Sequence, residues 1–396
     1  MTVWPEDRVQ TIDSFNTVDM TINVGPQHPA THGVFRMVLT VDGEVVVDCE
    51  PYIGYLHRGL EKLTENHDYR QSMGWWDRTD YLAGMCCEAA YCMAVEKMAG
   101  FEVPERAEYI RVMMMELSRI NSHFMFLGAF GADVGSFGTS FVYAWRERER
   151  IYDFFEEVSG DRMFPTYFRP GGLQSDLPEN YESRIRSLLG SIKQGIEDLD
   201  GLLTGNEIFV ERCKGLAPMT TERAINLGIT GPILRATGLP WDLRKAEPYS
   251  VYDRMKFDIP VGEQGDIFDR YFVRLAEMYQ STKIIEQCLD QMPKGLVLNP
   301  NLPKTLRIDS GECYIRTEGT KGEYGVYAMA RGGVKPYRMK LRSPSFCNLS
   351  ALREMVVAAT WPTPSSFLAP LISSSARWTS NATPLLRPTV WRVELG

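Results

Sequence analysis

The fold of this chain is indicated most specifically by one loop rich in proline, glycine and histidine, Asn23-Val24-Gly25-Pro26-Gln27-His28-Pro29-Ala30-Thr31-His32-Gly33. His28 and His32 are four residues apart, a spacing that places two imidazoles on one face of a helix. Pro26 and Pro29 exclude a helix here, and no Glu follows His28, so the helical zinc-peptidase pattern is excluded. A rigid loop between strands would instead hold an imidazole at a fixed place for proton chemistry or ligand binding. The alternative is a histidine that only closes a turn.

Two small sheets and a helical bundle are predicted around this loop. Residues 18 to 50 have the pattern of strands, with a tight hairpin turn at Asp42-Gly43. Apolar residues then recur at helical spacing, which predicts helices over about residues 81–98, 104–127, 141–158, 178–203 and 265–292. After Pro293 the pattern returns to strands, over residues 312–316, 323–330 and 337–341.

The expected fold class is α+β, with a central helical bundle between an N-terminal and a C-terminal antiparallel sheet. We divide the chain into an N-terminal extension, a β region with the histidine loop, the helical bundle, a C-terminal β region and an atypical tail, at residues 1–17, 18–78, 79–293, 294–357 and 358–396.

Composition excludes several classes of protein. The chain has 43 Lys+Arg and 51 Asp+Glu, a net charge of −8 that disfavours binding to nucleic acid. No stretch of about eighteen residues is apolar and free of charge and glycine, so no membrane-spanning helix is expected. The first thirteen residues contain no apolar core of a secretory signal, which predicts an intracellular location.

Binding of a metal or a nucleotide by this chain alone is not expected. The eight cysteines include no Cys-x-x-Cys pair, and the densest group, Cys86, Cys87 and Cys92, faces several directions of one helix. We interpret them as reduced core thiols rather than ligands of iron-sulfur or nickel. Neither Gly-x-Gly-x-x-Gly nor the Walker pattern is present, so no phosphate-binding loop is predicted. The alternating charges of residues 146–150, Arg-Glu-Arg-Glu-Arg, indicate a solvated helix face or a subunit contact.

The histidine loop also carries a resemblance to a known family. Together with Gly54-Tyr55-Leu56-His57-Arg58-Gly59-Leu60-Glu61-Lys62, it resembles the quinone-reducing large subunit of respiratory complex I, the bacterial NADH:quinone oxidoreductase. The resemblance extends over about residues 18 to 357, with a gap, through further strings: Arg78-Thr79-Asp80-Tyr81, Glu116-Leu117-Ser118-Arg119, residues 141–148, Arg169-Pro170-Gly171-Gly172, residues 234–238, residues 241–245 and residues 321–325.

This resemblance implies a fold like that of the nickel-iron hydrogenase large subunit, with the hydrogenase cavity reused for quinone. The chain lacks the two Cys-x-x-Cys pairs that hold the hydrogenase metals, so hydrogen chemistry is disfavoured. In the family, His32 and Tyr81 would hydrogen-bond the quinone headgroup, and Asp133 would be the acidic partner of His32. Proton donors at this place stabilise the basic oxygens of a reduced quinone.

Arg78 and His123 match positions beside the terminal [4Fe-4S] cluster, which the family's small iron-sulfur subunit carries. Without the resemblance, the preferred interpretation would be ordinary helix packing for Arg78 and His123, and a core residue at the start of a helix for Tyr81. The other partners that the resemblance implies are an adjacent peripheral-arm subunit and the membrane-arm subunit of the quinone channel. The substrate would be quinone, and this chain would bind no metal or nucleotide.

The leading hypothesis is a peripheral-arm subunit of a proton-translocating NADH:quinone oxidoreductase, active only in the complex, on the cytoplasmic face of the plasma membrane. One alternative keeps the fold but takes electrons from ferredoxin or another donor, and another is a non-catalytic scaffold subunit. After Val357 the sequence departs from the family, which continues into an apolar helix and an acidic end. The abrupt change to a tail rich in Pro, Ser and Trp suggests a shifted reading frame.

Overall fold

An antiparallel sheet opens the described part of the chain. The computed structural model describes residues 19–26, 34–136 and 138–357. The sheet has the order β1-β2-β3, with β1 at Met20–Val24, β2 at Arg36–Asp42 and β3 at Val45–Tyr52. Asp42 pairs with Val45, so the hairpin turn consists of Gly43-Glu44, one residue later than predicted. The strongly alternating pattern of β2 buries one face against the core and exposes the other.

The remaining strands form a short ribbon and a second antiparallel sheet. They are β4 (Phe168–Arg169), β5 (Gly172–Leu173), β6 (Ile308–Gly319), β7 (Gly322–Gly333) and β8 (Arg338–Arg342). The second sheet has the order β6-β7-β8. Its first two strands are each twelve residues long, longer than the predicted runs.

Helices make up the middle of the molecule. They are α1 (Leu60–Asn66), α2 (Met73–Trp76), α3 (Gly84–Ala99), α4 (Glu105–Gly131), α5 (Thr139–Ser159), α6 (Tyr181–Leu203), α7 (Glu207–Glu211), α8 (Thr221–Asn226), α9 (Pro232–Ala236), α10 (Leu243–Ala246), α11 (Ile267–Gln291), α12 (Pro344–Asn348) and α13 (Leu352–Val356). All five predicted helices are present as α3, α4, α5, α6 and α11. The short helices α7 to α10 were not predicted, because four to six residues are too few to show a helical period.

The α4 helix is the axis of the bundle and is buried on nearly all sides by α3, α5 and α11. It continues one turn beyond its predicted end at Leu127 because Gly128 and Gly131 do not break it. A Cβ at Gly128 would lie 2.8 Å from the Cβ of Ala144, and one at Gly131 would lie 2.5 Å from Ser140 Oγ. The glycines therefore allow α5 to pack closely against α4, and α4 ends in a π-helical turn at Ala132–Ser136.

One continuous core joins the sheets and the bundle. Buried apolar side chains of β2, α3, α4, α11 and β7 belong to the same cluster. The α+β arrangement of a helical bundle with flanking antiparallel sheets is thus as predicted. Among the described helices, none has both the length and the hydropathy to cross a membrane.

Candidate functional site

The predicted residues Arg78 and Tyr81 lie on one irregular stretch, residues 77–81, which we call the 77–81 segment. A 3-10 turn at Asp77–Thr79 follows α2, and α3 begins at Gly84. Asp80 Oδ1 accepts a hydrogen bond from Leu82 N at 3.1 Å, which fixes the backbone just beyond Tyr81. The segment therefore presents its side chains from a tightly turned backbone rather than from a regular helix.

The C-terminal sheet holds this segment in place. Thr79 Oγ1 donates to Trp76 O at 2.6 Å and lies 3.0 Å from the Tyr324 hydroxyl of β7. Lys321 Nζ, in the turn between β6 and β7, donates to Asp80 Oδ2 at 2.5 Å. Both side chains of this ion pair are mostly buried, so the strings at residues 78–81 and 321–325 meet although they are more than 240 positions apart.

Arg78 is partly buried and is held from three directions. Its Nη1 donates to Gly74 O at 2.5 Å, and its carbonyl oxygen accepts from Arg58 Nη2 at 3.1 Å. Its guanidinium lies over the Phe164 ring, 4.6 Å from the ring centroid. The position of Arg78 is therefore fixed by Gly74 and Arg58, which precede it in the chain, and by Phe164 in the loop before β4.

Tyr81 is also partly buried, and its neighbour Arg148 is a residue that sequence reasoning missed. Arg148 is fully buried on α5, although the charge alternation of residues 146–150 indicated a solvated face or a subunit contact. Glu147 is also fully buried, between Arg146 and Arg150. Arg146 and Arg150 are exposed, as a solvated face would require, whereas Glu147 and Arg148 are not, because α5 packs that side of its surface against α4 and α6.

Arg148 has no carboxylate among its hydrogen-bond partners in the described residues. It donates to Asn121 O at 3.0 Å and to the Tyr152 hydroxyl at 2.5 Å, and its buried Nε has no acceptor within the described part of the chain. Burial lowers the pKa of Arg148, while the nearby Tyr152 and Tyr81 hydroxyls oppose that effect. A guanidinium in such a place would stabilise negative charge that develops on Tyr81.

His123 lies in the interior, on the side of α4 that faces α11. It is 2% exposed, and its Nε2 is 2.8 Å from Glu277 Oε2. Burial lowers the pKa of His123 to about 4 despite the hydrogen bond with Glu277, so the imidazole is neutral at pH 7. Burial alone would raise the pKa of Glu277, but Arg235, and to a smaller degree His123, lower it. Any influence of His123 on a neighbouring subunit would act through the protein interior.

Glu277 belongs to a central ion-pair cluster, which consists of buried acids and arginines from distant parts of the chain: Glu116, Arg119, Arg235, Asp242, Arg244, Glu277 and Glu318. Arg235 binds Glu277 at 2.7 Å and Glu318 at 2.8 Å. Arg244 binds Asp242 at 2.6 Å and Glu116 at 3.1 Å. Three of the strings that carry the resemblance, at residues 116–119, 234–238 and 241–245, thus meet in one buried network.

The remaining predicted residues lie apart from these. Asp133 is exposed on the π-helical turn after α4, where Gly135 has a φ of 147°. His32 lies outside the described residues, so its expected pairing with Asp133 stays a prediction. The structure thus places Arg78 and Tyr81 on one segment, with Arg148 near Tyr81. His123 instead points toward α11, and Asp133 lies beyond the end of α4.

The cysteines of α3 are core residues. Burial raises the pKa of Cys86 to about 12, and it raises those of Cys87 and Cys92 well above the usual value. These groups are therefore thiols rather than thiolates at pH 7. Within the described ranges, no three His, Cys, Asp or Glu side chains are grouped in a way that could hold a metal ion.

Comparison with known proteins identifies the family. Residues 133–306 and 300–361 match the model of the family described as "Respiratory-chain NADH dehydrogenase, 49 Kd subunit". The D subunit of the NADH-quinone oxidoreductase of Desulforamulus reducens is 48% identical over 343 residues, which cover 87% of this chain and 93% of that protein.

Two further relatives carry the same name. The D subunit of Carboxydothermus hydrogenoformans is 49% identical over 341 residues, covering 86% of this chain and 93% of its own. The D subunit of Chromobacterium violaceum is 44% identical over 386 aligned residues, which cover 85% of this chain and 92% of that protein. The resemblance drawn from the sequence motifs is confirmed, and the chain belongs to the 49 kDa subunit family of respiratory-chain NADH dehydrogenase, as a subunit of a multisubunit NADH-quinone oxidoreductase.

Proposed function

We propose that this subunit forms the quinone-reduction site of a proton-translocating NADH:quinone oxidoreductase, together with a small iron-sulfur subunit that carries the terminal [4Fe-4S] cluster. Its relatives are named as subunits of an NADH-quinone oxidoreductase, which supports quinone as the substrate. Within the chain, one observation carries the proposal: Tyr81 is partly exposed on a rigidly held segment, beside the buried guanidinium of Arg148.

Tyr81 would act as a proton donor to the quinone headgroup. Reduction of a quinone to a quinol takes two electrons and two protons, and the reduced oxygens are far more basic than those of the quinone. A phenol within hydrogen-bond reach can supply one proton, and the phenolate that remains would be stabilised by Arg148. Donation from this phenol therefore requires no proton from bulk water at the moment of reduction.

His32 would be the second donor, with Asp133 as its acidic partner. A carboxylate near a histidine favours the imidazolium, which is a better donor than neutral imidazole. Asp133 is exposed beyond the end of α4, on a turn that departs from helical geometry, which supports a role at the surface of the subunit.

Arg78 and His123 would influence the partner's cluster from outside its ligand shell. Arg78 is partly exposed, so its fixed positive charge can directly face a neighbouring protein. His123 is buried and neutral, so its contribution would come through its hydrogen bond with Glu277.

In this proposal the subunit works only inside the complex, on the cytoplasmic face of the plasma membrane. Its neighbours would be the small iron-sulfur subunit, an adjacent peripheral-arm subunit and the membrane-arm subunit of the quinone channel. The exposed apolar side chains Val142 and Tyr143 at the start of α5 support burial of this surface against a neighbour.

Photolabelling of the assembled complex with an azidoquinone tests the proposed site. We expect labels in peptides that contain Tyr81 or the start of α5, and we expect excess unlabelled quinone to suppress them. The peptide that contains α8, with its exposed Ile225, is an apolar surface control that should not show competable labelling. Competable labels confined to other parts of the subunit, or to other subunits, would contradict the site.

A further inference from the structure

Two buried carboxyl groups, Asp77 and Glu88, have no part in the roles described above. Asp77 is the first residue of the 77–81 segment and Glu88 lies on α3, and both are 0% exposed. Gly84 is one turn before Glu88 on the same helix face. A Cβ added at Gly84 would lie 3.5 Å from the Asp77 Cβ. Asp77 thus faces the side of α3 that carries Glu88.

One short stretch, from Thr166 in the loop to Phe168 at the start of β4, donates hydrogen bonds to both carboxyl groups. Asp77 Oδ2 accepts hydrogen bonds from the N and the Oγ1 of Thr166, each at 2.8 Å. Glu88 Oε2 accepts one from Phe168 N at 2.7 Å. Because Thr166 and Phe168 are two residues apart, their nitrogen atoms are within about 7 Å of each other. The two carboxyl groups therefore lie side by side along this loop.

Each carboxyl group has one oxygen left over. Asp77 Oδ1 and Glu88 Oε1 are buried, and no N–H or hydroxyl group of the described residues donates to them, so only a proton shared between the two groups could join them by a hydrogen bond. If both groups were ionised, two adjacent buried anions that each lack a hydrogen bond at one oxygen would raise the free energy of the folded state. A single proton between the groups would remove one charge and give both oxygens a partner.

Among the described residues, no cation donates a hydrogen bond to either carboxyl group. Arg169, the cation of β4, donates to Thr166 O, Phe168 O and Gln174 Oε1 instead. Arg78 donates to Gly74 O. The thiol of Cys92, one turn further along α3, is uncharged because burial raises its pKa.

We propose that Asp77 and Glu88 share one proton at neutral pH, and that this acid–carboxylate pair is a positioning device for the 77–81 segment. The pair fastens the segment to α3 and to the loop at residues 164–168, whose Phe164 lies against Arg78. Its importance for quinone reduction rests on the proposed function, but the shared proton itself does not.

The titration behaviour of Glu88 agrees with this arrangement. Burial, followed by the charge of Asp77 and the hydrogen bond with it, raises the pKa of Glu88 well above its usual value. The folded subunit then keeps a proton that the unfolded chain releases, so stability falls as the pH rises from the usual pKa of Glu toward the raised one.

The first test compares matched variants on one helix in the assembled complex. Glu88→Gln reproduces the protonated carboxyl, since its amide can donate to Asp77 while its oxygen still accepts from Phe168 N. Glu96→Gln is the control: Glu96 is also buried on α3 but forms an ion pair with Arg111 at 2.6 Å. We expect Glu88→Gln to assemble within about twofold of the wild type, and Glu96→Gln and Glu88→Ala to assemble several-fold less.

The second readout is the pH dependence of unfolding by urea, followed by release of this subunit. The shared proton contributes up to about tenfold per pH unit to the wild-type unfolding equilibrium above the usual Glu pKa. Glu88→Gln should lack this contribution, and the difference between wild type and variant at each pH separates it from the opposite contribution of His123. Assembly of Glu88→Gln as poor as that of Glu96→Gln, or an unchanged pH dependence, would overturn the proposal. Neither readout involves quinone, so failure of the proposed function would leave both results intact.

Discussion

Buried titratable side chains in this protein are not all in the same protonation state, and His123 is the clearest case. Its pKa is lowered to about 4 by burial, whereas an unfolded histidine titrates near 6.5. Between these values the unfolded chain takes up a proton that the folded protein does not. The contribution of His123 to stability is therefore expected to fall as the pH decreases from about 6.5 to about 4.

His123→Gln should remove most of this acid sensitivity, because its side-chain amide can still donate to Glu277 and does not titrate. The lost dependence would amount to roughly 3 kcal/mol across the window. It is measured as the urea midpoint of the subunit in the complex at several pH values. A variant that keeps the full wild-type slope would show that His123 is not the responsible group.

Lys321 provides a second prediction at this scale. Its removal in Lys321→Met would leave Asp80 buried without its cation, which we expect to destabilise the subunit by about 3–5 kcal/mol. Lys283→Met is the control, because its pair with Asp258 is exposed and 3.9 Å long, so a loss below about 1 kcal/mol is expected. Equal losses of unfolding free energy in the two variants, measured by urea unfolding, would contradict the role of Lys321 in holding the 77–81 segment.

At the scale of elements, glycines set how closely the strands and helices approach. The start of α9 contacts the turn between β6 and β7: a Cβ at Gly231 would lie 2.4 Å from the Cα of Gly322. Gly231 also has a φ of 75°. This contact brings Arg235, on α9, to the central ion-pair cluster beside the second sheet.

The variants Gly231→Ala and Gly228→Ala compare a crowded glycine with an uncrowded one. Both positions have a positive φ. Gly231 also has a ψ of −151°, in a region essentially confined to glycine, so its Ala variant carries a backbone strain of about 1–3 kcal/mol. Only Gly231→Ala adds a clash, since nothing lies within 4 Å of a Cβ at Gly228. We expect the Gly231 variant to unfold at a clearly lower urea concentration than the Gly228 variant. Its free energy of unfolding should be lower than that of the wild type by more than about 3 kcal/mol. Similar midpoints would mean that α9 can move away from the turn.

For the whole molecule, the long elements could be predicted from the sequence, and their mutual arrangement could not. The spacing of apolar residues and the placement of glycines predicted α3, α5, α6 and α11 to within about three residues at each end. The end of α4 was missed because Gly128 and Gly131 allow close packing against α5 rather than ending the helix. The resemblance predicted Arg78 and Tyr81 as site residues, Arg78 beside the partner's cluster and Tyr81 at the quinone headgroup, and these roles stay predictions. Arg148, Glu88 and the central ion-pair cluster were missed because partners that are tens to hundreds of residues apart leave no local pattern.

The tail gives a prediction about the gene. The family match ends at residue 361, and residues 358–396 lie outside the described part of the chain. A shifted reading frame after Val357 predicts that another frame of the same DNA encodes an apolar helix with an acidic end. Resequencing that finds one intact frame, with no such continuation in the others, would reject the shift.

The most direct test of the account is quinone reduction by the complex that carries Tyr81→Phe, with reduction of the partner's cluster followed separately by its spectroscopic signal. Tyr327→Phe is the control, a partly buried tyrosine of β7 whose hydroxyl binds Glu312. We predict that Tyr81→Phe lowers quinone turnover by about two orders of magnitude while the cluster is still reduced, and that the control does not. Unchanged turnover in Tyr81→Phe would contradict the proposed site and would favour a scaffold role for this subunit.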